Sequence, residues 1–180
     1  MKLLAFAASN SKQSINKKLA TYAANLFKKH HKETTVEILD INDYEMPLYS
    51  VDKEAELGQP IEAKRFLEKI GNADALIVSF AEHNGTYTAA YKNLFDWVSR
   101  IEGKFFQNKP MVLLATAPGP GGAASVLATA ETSAPFFGSD VKASLSVPNF
   151  YEVFDTDTLV MRDTETDKKL KETVAALLKS

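Results

Sequence analysis

Hydroxyl, amide and ammonium groups crowd the stretch Ser9-Asn10-Ser11-Lys12-Gln13-Ser14-Ile15-Asn16. It follows an apolar run, Leu3 to Ala7, and precedes apolar residues at helical spacing. A strand that empties through such a loop into a helix start brings together unpaired first-turn N–H groups and the positive end of the helix dipole. That combination receives anions, phosphate above all. Ser14 suits the helix cap. The hydroxyls of Ser9, Ser11 and Ser14 can donate to phosphate oxygens, Asn16 offers an amide, and Lys12 supplies a mobile charge. A plain capped helix would need Ser14 and little else. The loop has no glycine, which argues against the close pyrophosphate approach of a dinucleotide fingerprint and against a nucleotide-triphosphate loop. A monophosphate held by hydroxyls and backbone N–H groups fits better. There is no acidic pair either, which argues against a magnesium-binding receiver domain.

Two other loops carry chemistry. Ala81-Glu82-His83-Asn84-Gly85-Thr86-Tyr87-Thr88 mixes a carboxylate, an imidazole ring, an amide and a glycine, which suits a flat heteroaromatic ligand with polar edges. His83 reads equally as an isolated surface histidine. Thr116-Ala117-Pro118-Gly119-Pro120-Gly121-Gly122 has glycines that let a ligand approach the backbone, or that simply turn the chain.

The elements that must position these loops alternate regularly. Strands are expected at Leu3–Ala7, Thr35–Leu39, Ala75–Phe80, Met111–Ala115 and Val141–Val147. Helices are expected from Ser14 to His31, around Ala63–Ile70 with a stop at Gly71-Asn72, around Tyr91–Val98, from Gly121 to Phe137, and around Leu170–Leu178. Asp40 to Gln59 reads as a long connection. Such alternation implies a parallel sheet with helices on both faces. The first, third and fourth strands are continuous apolar runs, as burial on both faces requires. The second carries Glu37 and the fifth alternates, which suits edges. The result is an α/β, flavodoxin-like three-layer αβα sandwich with a five-stranded parallel sheet of order 2-1-3-4-5. Its ligand belongs beyond the carboxyl ends of the strands, where the first and third diverge. All three loops lie at that end.

Composition narrows the chemistry. The 180 residues fit one domain, 1–180. The net charge of −2 gives no sign of a nucleic-acid or polybasic membrane partner. With no cysteine, thiolate nucleophiles, disulfides and iron–sulfur clusters are excluded, so any redox chemistry belongs to a bound cofactor. No apolar run approaches the ~20 residues of a membrane span. No signal peptide is visible, and the expected location is the cytoplasm.

Together these loops resemble the NADPH-dependent FMN reductase family, which includes quinone, chromate and azo-dye reductases. The family signature G-S-x-R-x-x-S-x-N is matched at Ser9, Ser14 and Asn16 of Ala8–Asn16. Its P-E-Y-N is matched at Glu82 and Asn84, and its K-N-x-x-D-W by Lys92-Asn93-Leu94-Phe95-Asp96-Trp97. The glycine-rich loop resembles Pro118 to Gly122, and Pro47-Leu48-Tyr49 has the family's P-L-Y. Ser11 stands where the family has arginine, with Lys12 next door. Ala8, Ala81 and His83 replace glycine, proline and tyrosine. The resemblance implies an enzyme binding FMN, with NADPH or NADH as co-substrate and a ping-pong transfer to a small-molecule acceptor. It implies that Ser9, Ser11, Lys12, Ser14, Ile15 and Asn16 hold the phosphate. Glu82, His83, Asn84 and Gly85 then line the ring edge, with a backbone N–H near Asn84-Gly85 facing the reactive central-ring nitrogen. Ala117 and Gly119 approach the pyrimidine end. No catalytic acid/base residue and no metal are implied. A homodimer or homotetramer follows, with the helix around Tyr91–Ile101 at the interface and Trp97 in core or interface. The rival from another class is a non-enzymatic flavodoxin-type electron carrier, or an FMN-binding regulatory protein. The carrier's T-x-T-G-x-T loop and strongly acidic surface are both missing here.

Overall fold

A computed structural model describes residues 1–179. The chain begins with β1 (Lys2–Ala8), α1 (Ile15–His30) and β2 (Thr35–Leu39). Ser14 is the N-cap of α1, its hydroxyl accepting the Lys17 N–H, so the helix starts one residue after the expected position. Lys28, Lys29 and His30 fill its last turn, where cations are favoured.

The connection after β2 is more ordered than expected. It holds a 3₁₀ turn at Ile41–Tyr44 and a short helix, α2 (Val51–Leu57), capped by Ser50. No residue of α2 is buried, so its sequence carries no apolar stripe by which to recognise it. Then follow α3 (Ile61–Asn72) and β3 (Ala75–Phe80).

The loop after β3 is a hairpin, β4 (Glu82–His83) against β5 (Thr86–Tyr87). Asn84 (φ 53°) and Gly85 (φ 81°) both take left-handed backbone, as a two-residue type I′ turn demands. Thr88 then caps α4 (Ala89–Ile101) and donates its hydroxyl to the Ala8 carbonyl, fastening the hairpin's exit to the end of β1.

The second half contains β6 (Lys109–Thr116), α5 (Ala124–Ser133), a 3₁₀ turn (Ala134–Phe137) and β7 (Ser139–Val147). The expected helix from Gly121 starts three residues later. Gly122 (φ 57°) and Ala123 (φ 59°) are left-handed and cannot be helical. A Cβ at Gly122 would run into the Ser146 hydroxyl and the Pro148 backbone, so this position requires glycine. Beyond β7 come a single turn, α6 (Phe150–Val153), a hairpin of β8 (Phe154–Asp155) and β9 (Val160–Met161), and α7 (Thr164–Ala175) ending in a 3₁₀ turn at Ala176–Leu178.

The sheet order is β2-β1-β3-β6-β7, all parallel. These are the five expected strands in the expected order, with the two polar-patterned ones at the edges. Alternate residues feed two cores. Leu4, Phe6, Leu76, Val78, Met111 and Leu113 face the α3–α4–α5 layer. Leu3, Ala5, Ile77, Val112 and Leu114 face the layer of α1 and α7. The cores hold the carboxyl ends of β1, β3 and β6 in register, with Ala8 beside Phe80 and Phe80 beside Ala115. No helix among the described residues is long and apolar enough to cross a membrane.

Candidate functional site

A cavity of about 240 Å³ opens at the carboxyl end of the sheet. The loop after β1 contributes Ser9, Ser11, Gln13, Ser14, Ile15 and Asn16 to it. The start of the hairpin contributes Ala81, Glu82 and His83, and the loop after β6 contributes Thr116, Ala117 and Pro118. All three loops singled out in the sequence therefore meet at one place.

The first loop is built as a donor cradle. The Ser9 hydroxyl accepts the Ser11 N–H at 3.3 Å, Ser11 accepts the Gln13 N–H at 3.3 Å, and Ser14 accepts the Lys17 N–H at 3.2 Å. A serine whose oxygen already accepts still has its proton to give. Three O–H donors thus remain. Ile15 and Asn16 are the first two residues of α1, and their N–H groups have no partner inside the helix.

Asn16 is bonded into the fold at both ends of its amide. It is 2% exposed. Its Oδ1 accepts from the Ser79 hydroxyl (2.8 Å) and the Thr116 N–H (3.1 Å), and its Nδ2 donates to the Thr116 carbonyl (3.1 Å). The side chain stitches the start of α1 to the ends of β3 and β6. Asn16 thereby brackets the loop's position, while it also lines the cavity and keeps its second Nδ2 proton outside these bonds.

Lys12 departs from expectation. It lines a separate groove on the outer face of α1, whereas the cavity under the three loops is walled without it. The cation expected at the first loop's ligand thus lines the neighbouring groove.

In the second loop, Glu82 turns its Oε2 onto the Val126 N–H at 2.9 Å. Val126 lies in the first turn of α5, whose N-cap Ala123 has no side-chain oxygen. Glu82 therefore caps another element's helix, satisfying an orphan amide and placing a carboxylate at the favourable dipole end. His83 is exposed at the cavity edge. Asn84 and Gly85 form the hairpin's exposed tip and do not line the cavity. In the third loop Ala117 lines the cavity, while Gly119 lies outside its walls. The Gly119 and Ala117 carbonyls accept the Asn149 and Phe150 N–H groups (3.0 and 3.1 Å), which ties this loop to the segment after β7.

That tie brings in Tyr151, which sequence reasoning missed. Its ring is 57% exposed and lines the cavity. Phe150 beside it is buried, with ring centroids 5.7 Å apart. The signal for Tyr151 was its place: a fourth segment, Pro148–Tyr151, leaves the same end of the sheet as the other three.

The neighbouring K-N-x-x-D-W stretch has a structural explanation. Asn93 accepts the Tyr49 N–H (2.8 Å) and donates to the Met46 and Pro47 carbonyls (both 3.1 Å). The Trp97 ring N–H donates to the Pro47 carbonyl at 2.7 Å, and the indole is fully buried. Lys92 pairs with Asp96 one turn on. This helix face clamps the Met46–Tyr49 connection, and Trp97 belongs to the core.

Comparison with known proteins places this architecture. The family model described as NADPH-dependent FMN reductase matches residues 1–151. The chain is 38% identical over 90 residues to an NAD(P)H-dependent FMN reductase of Pseudomonas aeruginosa, covering 50% of this chain and 47% of that protein. It is 30% identical over 125 residues to an NADPH:quinone oxidoreductase of Arabidopsis thaliana, covering 69% of this chain and 62% of that one. The matched stretch thus spans about half to under two thirds of these relatives' lengths. Among solved structures it is similar to FerB, a flavoenzyme NAD(P)H:(acceptor) oxidoreductase from Paracoccus denitrificans. That likeness has a TM-score of 0.75 and 27% identity over 98% of this chain and 94% of that one.

Proposed function

The chain belongs to the NADPH-dependent FMN reductase family, and from that membership we propose that it is an NAD(P)H-dependent, FMN-binding oxidoreductase that passes electrons to small acceptors such as quinones. The observation that carries this reading is the donor cradle of the first loop. Three hydroxyl protons and two helix-start N–H groups surround one end of the cavity with no acidic side chain in the loop. This matches the needs of a phosphate monoester dianion.

In this reading Ser9, Ser11 and Ser14 donate to the phosphate oxygens, joined by the Ile15 and Asn16 backbone N–H groups. Gln13, at the same rim, adds an amide. The ring edge rests against Ala81, Glu82 and His83 on one side and Ala117 and Pro118 on the other, with Tyr151 closing the outer wall. Bound FMN supplies the hydride-accepting and electron-donating chemistry. The protein's part is to fix the phosphate, to keep the hairpin at a set height through the Glu82–Val126 bond, and to leave one face open. Nicotinamide and acceptor then use that face in turn, in ping-pong order. Asn84 and Gly85 meet the ring only if the hairpin tip folds inward, and Lys12 acts beside the phosphate rather than on it.

The quinone reductases of Burkholderia and Pseudomonas putida among the relatives favour quinone acceptors. Titration of the flavin-free protein with FMN and with riboflavin tests the reading. FMN is expected to bind at micromolar concentration with a change in its fluorescence. Ser14→Ala is expected to weaken FMN about tenfold, one charge-assisted hydrogen bond's worth, and to leave riboflavin unaffected. Unchanged FMN fluorescence throughout would sink the proposal.

A further inference from the structure

Among the described residues, three titratable side chains line the cavity under the three loops: Glu82, His83 and Tyr151. The first and third loops bring no ionisable side chain to it, and Lys12 lies outside its walls. Tyr87, across the hairpin from Glu82, shares its hydroxyl with Ser133 at 2.9 Å. The three wall groups differ in what they can do with a proton. Glu82 turns its carboxylate oxygen onto the Val126 N–H at 2.9 Å, and an ionised carboxylate only accepts. Tyr151 brings a phenol, a group type that parts with its proton far less readily near neutrality than an imidazolium does. His83 brings an imidazole, the side-chain type that exchanges a proton between about pH 5 and 8.

The hairpin holds His83 at the cavity edge. It is the last residue of β4, opposite Thr86 across the Asn84-Gly85 turn. Glu82 just before it is bonded to α5, and Thr88 just after β5 donates to the Ala8 carbonyl at 3.0 Å. The hairpin is therefore fixed where it leaves β3 and where it enters α4. Among the described residues no ion pair ties the His83 ring. The residue is exposed, so water can renew a proton that the ring gives up. The cavity thus has one side chain suited to delivering a proton near neutral pH.

Reduction of a quinone to a hydroquinone takes two electrons and two protons. A hydride brings both electrons and one hydrogen nucleus, so a second proton must come from elsewhere. We infer that His83 is a catalytic residue, the general acid that protonates the acceptor oxygen left anionic by the hydride. The imidazolium N–H bond breaks, the acceptor O–H bond forms, and the neutral ring takes a new proton from water at the cavity edge. The inference rests on the proposed quinone-directed reaction and adds a proton donor to it. The family resemblance implies no acid/base residue, and this one is particular to the chain, since His83 stands where the family has tyrosine.

Stopped-flow oxidation of the reduced, FMN-loaded protein by benzoquinone and by ferricyanide tests this. Ferricyanide takes single electrons and no proton, so it reads the flavin's reactivity without the acid step. The imidazolium is the donor, so the quinone-to-ferricyanide rate ratio is expected to fall as pH rises through about 5 to 8. His83→Gln is expected to lower that ratio about a hundredfold at the acid end, the low end of general acid catalysis, and to make it independent of pH. Added imidazole should restore the ratio in His83→Ala. A readout without turnover is the NMR spectrum of the three histidine rings. Adding FMN to the flavin-free protein is expected to move the His83 ring signals and to leave those of His30 and His31 in place. A ratio that is flat with pH in the parent protein, or that survives His83→Gln, overturns the inference, as do unmoved His83 signals on FMN binding. If FMN fails to bind, the proposed function falls and takes the inference with it, whereas FMN binding with an unaltered ratio removes the inference alone.

Discussion

Asn16 shows how much of a ligand site can be made by a residue that need not touch the ligand. Its amide meets Ser79 and both backbone groups of Thr116, so one buried side chain sets the distance between the first loop and the third. Removing it strands a buried hydroxyl and a buried peptide N–H, each costing about 1–3 kcal/mol. Asn16→Ala is therefore expected to lose roughly 3 kcal/mol of stability, read as a fall in melting temperature of about 10 °C. An unchanged melting temperature would show that water replaces the amide without loss. The signature match found this position in the sequence, but not its job. Type and spacing mark Asn16 as polar at a helix start, and only the fold shows that Ser79 and Thr116 have already claimed it. Glu82 was hidden in the same way. Its partner Val126 lies 44 positions away, and no local pattern announces such a bond.

At the scale of elements, those with an apolar period were legible and those without one were not. The five strands and the long helices each bury a face, so their composition repeats with the structure's period. The α2 helix buries nothing, and β4–β5 and β8–β9 are pairs of two-residue strands too short to show alternation. The Asn84-Gly85 pair was a hairpin signal in plain view, but it lacked flanking runs to confirm it. The last helix illustrates the value of caps. Asp163 accepts the Thr166 N–H at 2.7 Å, and the Thr166 hydroxyl together with this N–H holds its carboxyl below the usual aspartate range. A carboxyl depressed in the folded state contributes stability that is complete above the unfolded value, about 3.9, and lost as pH falls through the folded one. Asp163→Ala is thus expected to lower thermal stability at neutral pH and to flatten the loss seen on acidification below about pH 4. Parallel acid-unfolding curves for the two proteins would contradict this.

Across the whole molecule, exposed large apolar side chains occur at Phe136, Tyr151, Leu159 and Leu178, and also around α2. Leu48, Val51, Leu57 and Ile61 are all more than half exposed, and all lie on or beside α2. The helix expected at an interface, α4, buries Tyr91, Leu94, Trp97 and Val98 within its own chain. The exposed apolar side chains around α2 make that face the expected contact of the homodimer or homotetramer. Sedimentation equilibrium should then show that Val51→Lys with Leu57→Lys gives monomer, and an oligomer intact in that variant would put the contact elsewhere. The α4 clamp has a separate consequence. The chain has one tryptophan, and its indole N–H is bonded to the Pro47 carbonyl in the dry interior. The molecule thereby carries its own optical gauge. Trp97 emission reports, without any label, whether the Met46–Tyr49 strap lies docked on α4 or has come away.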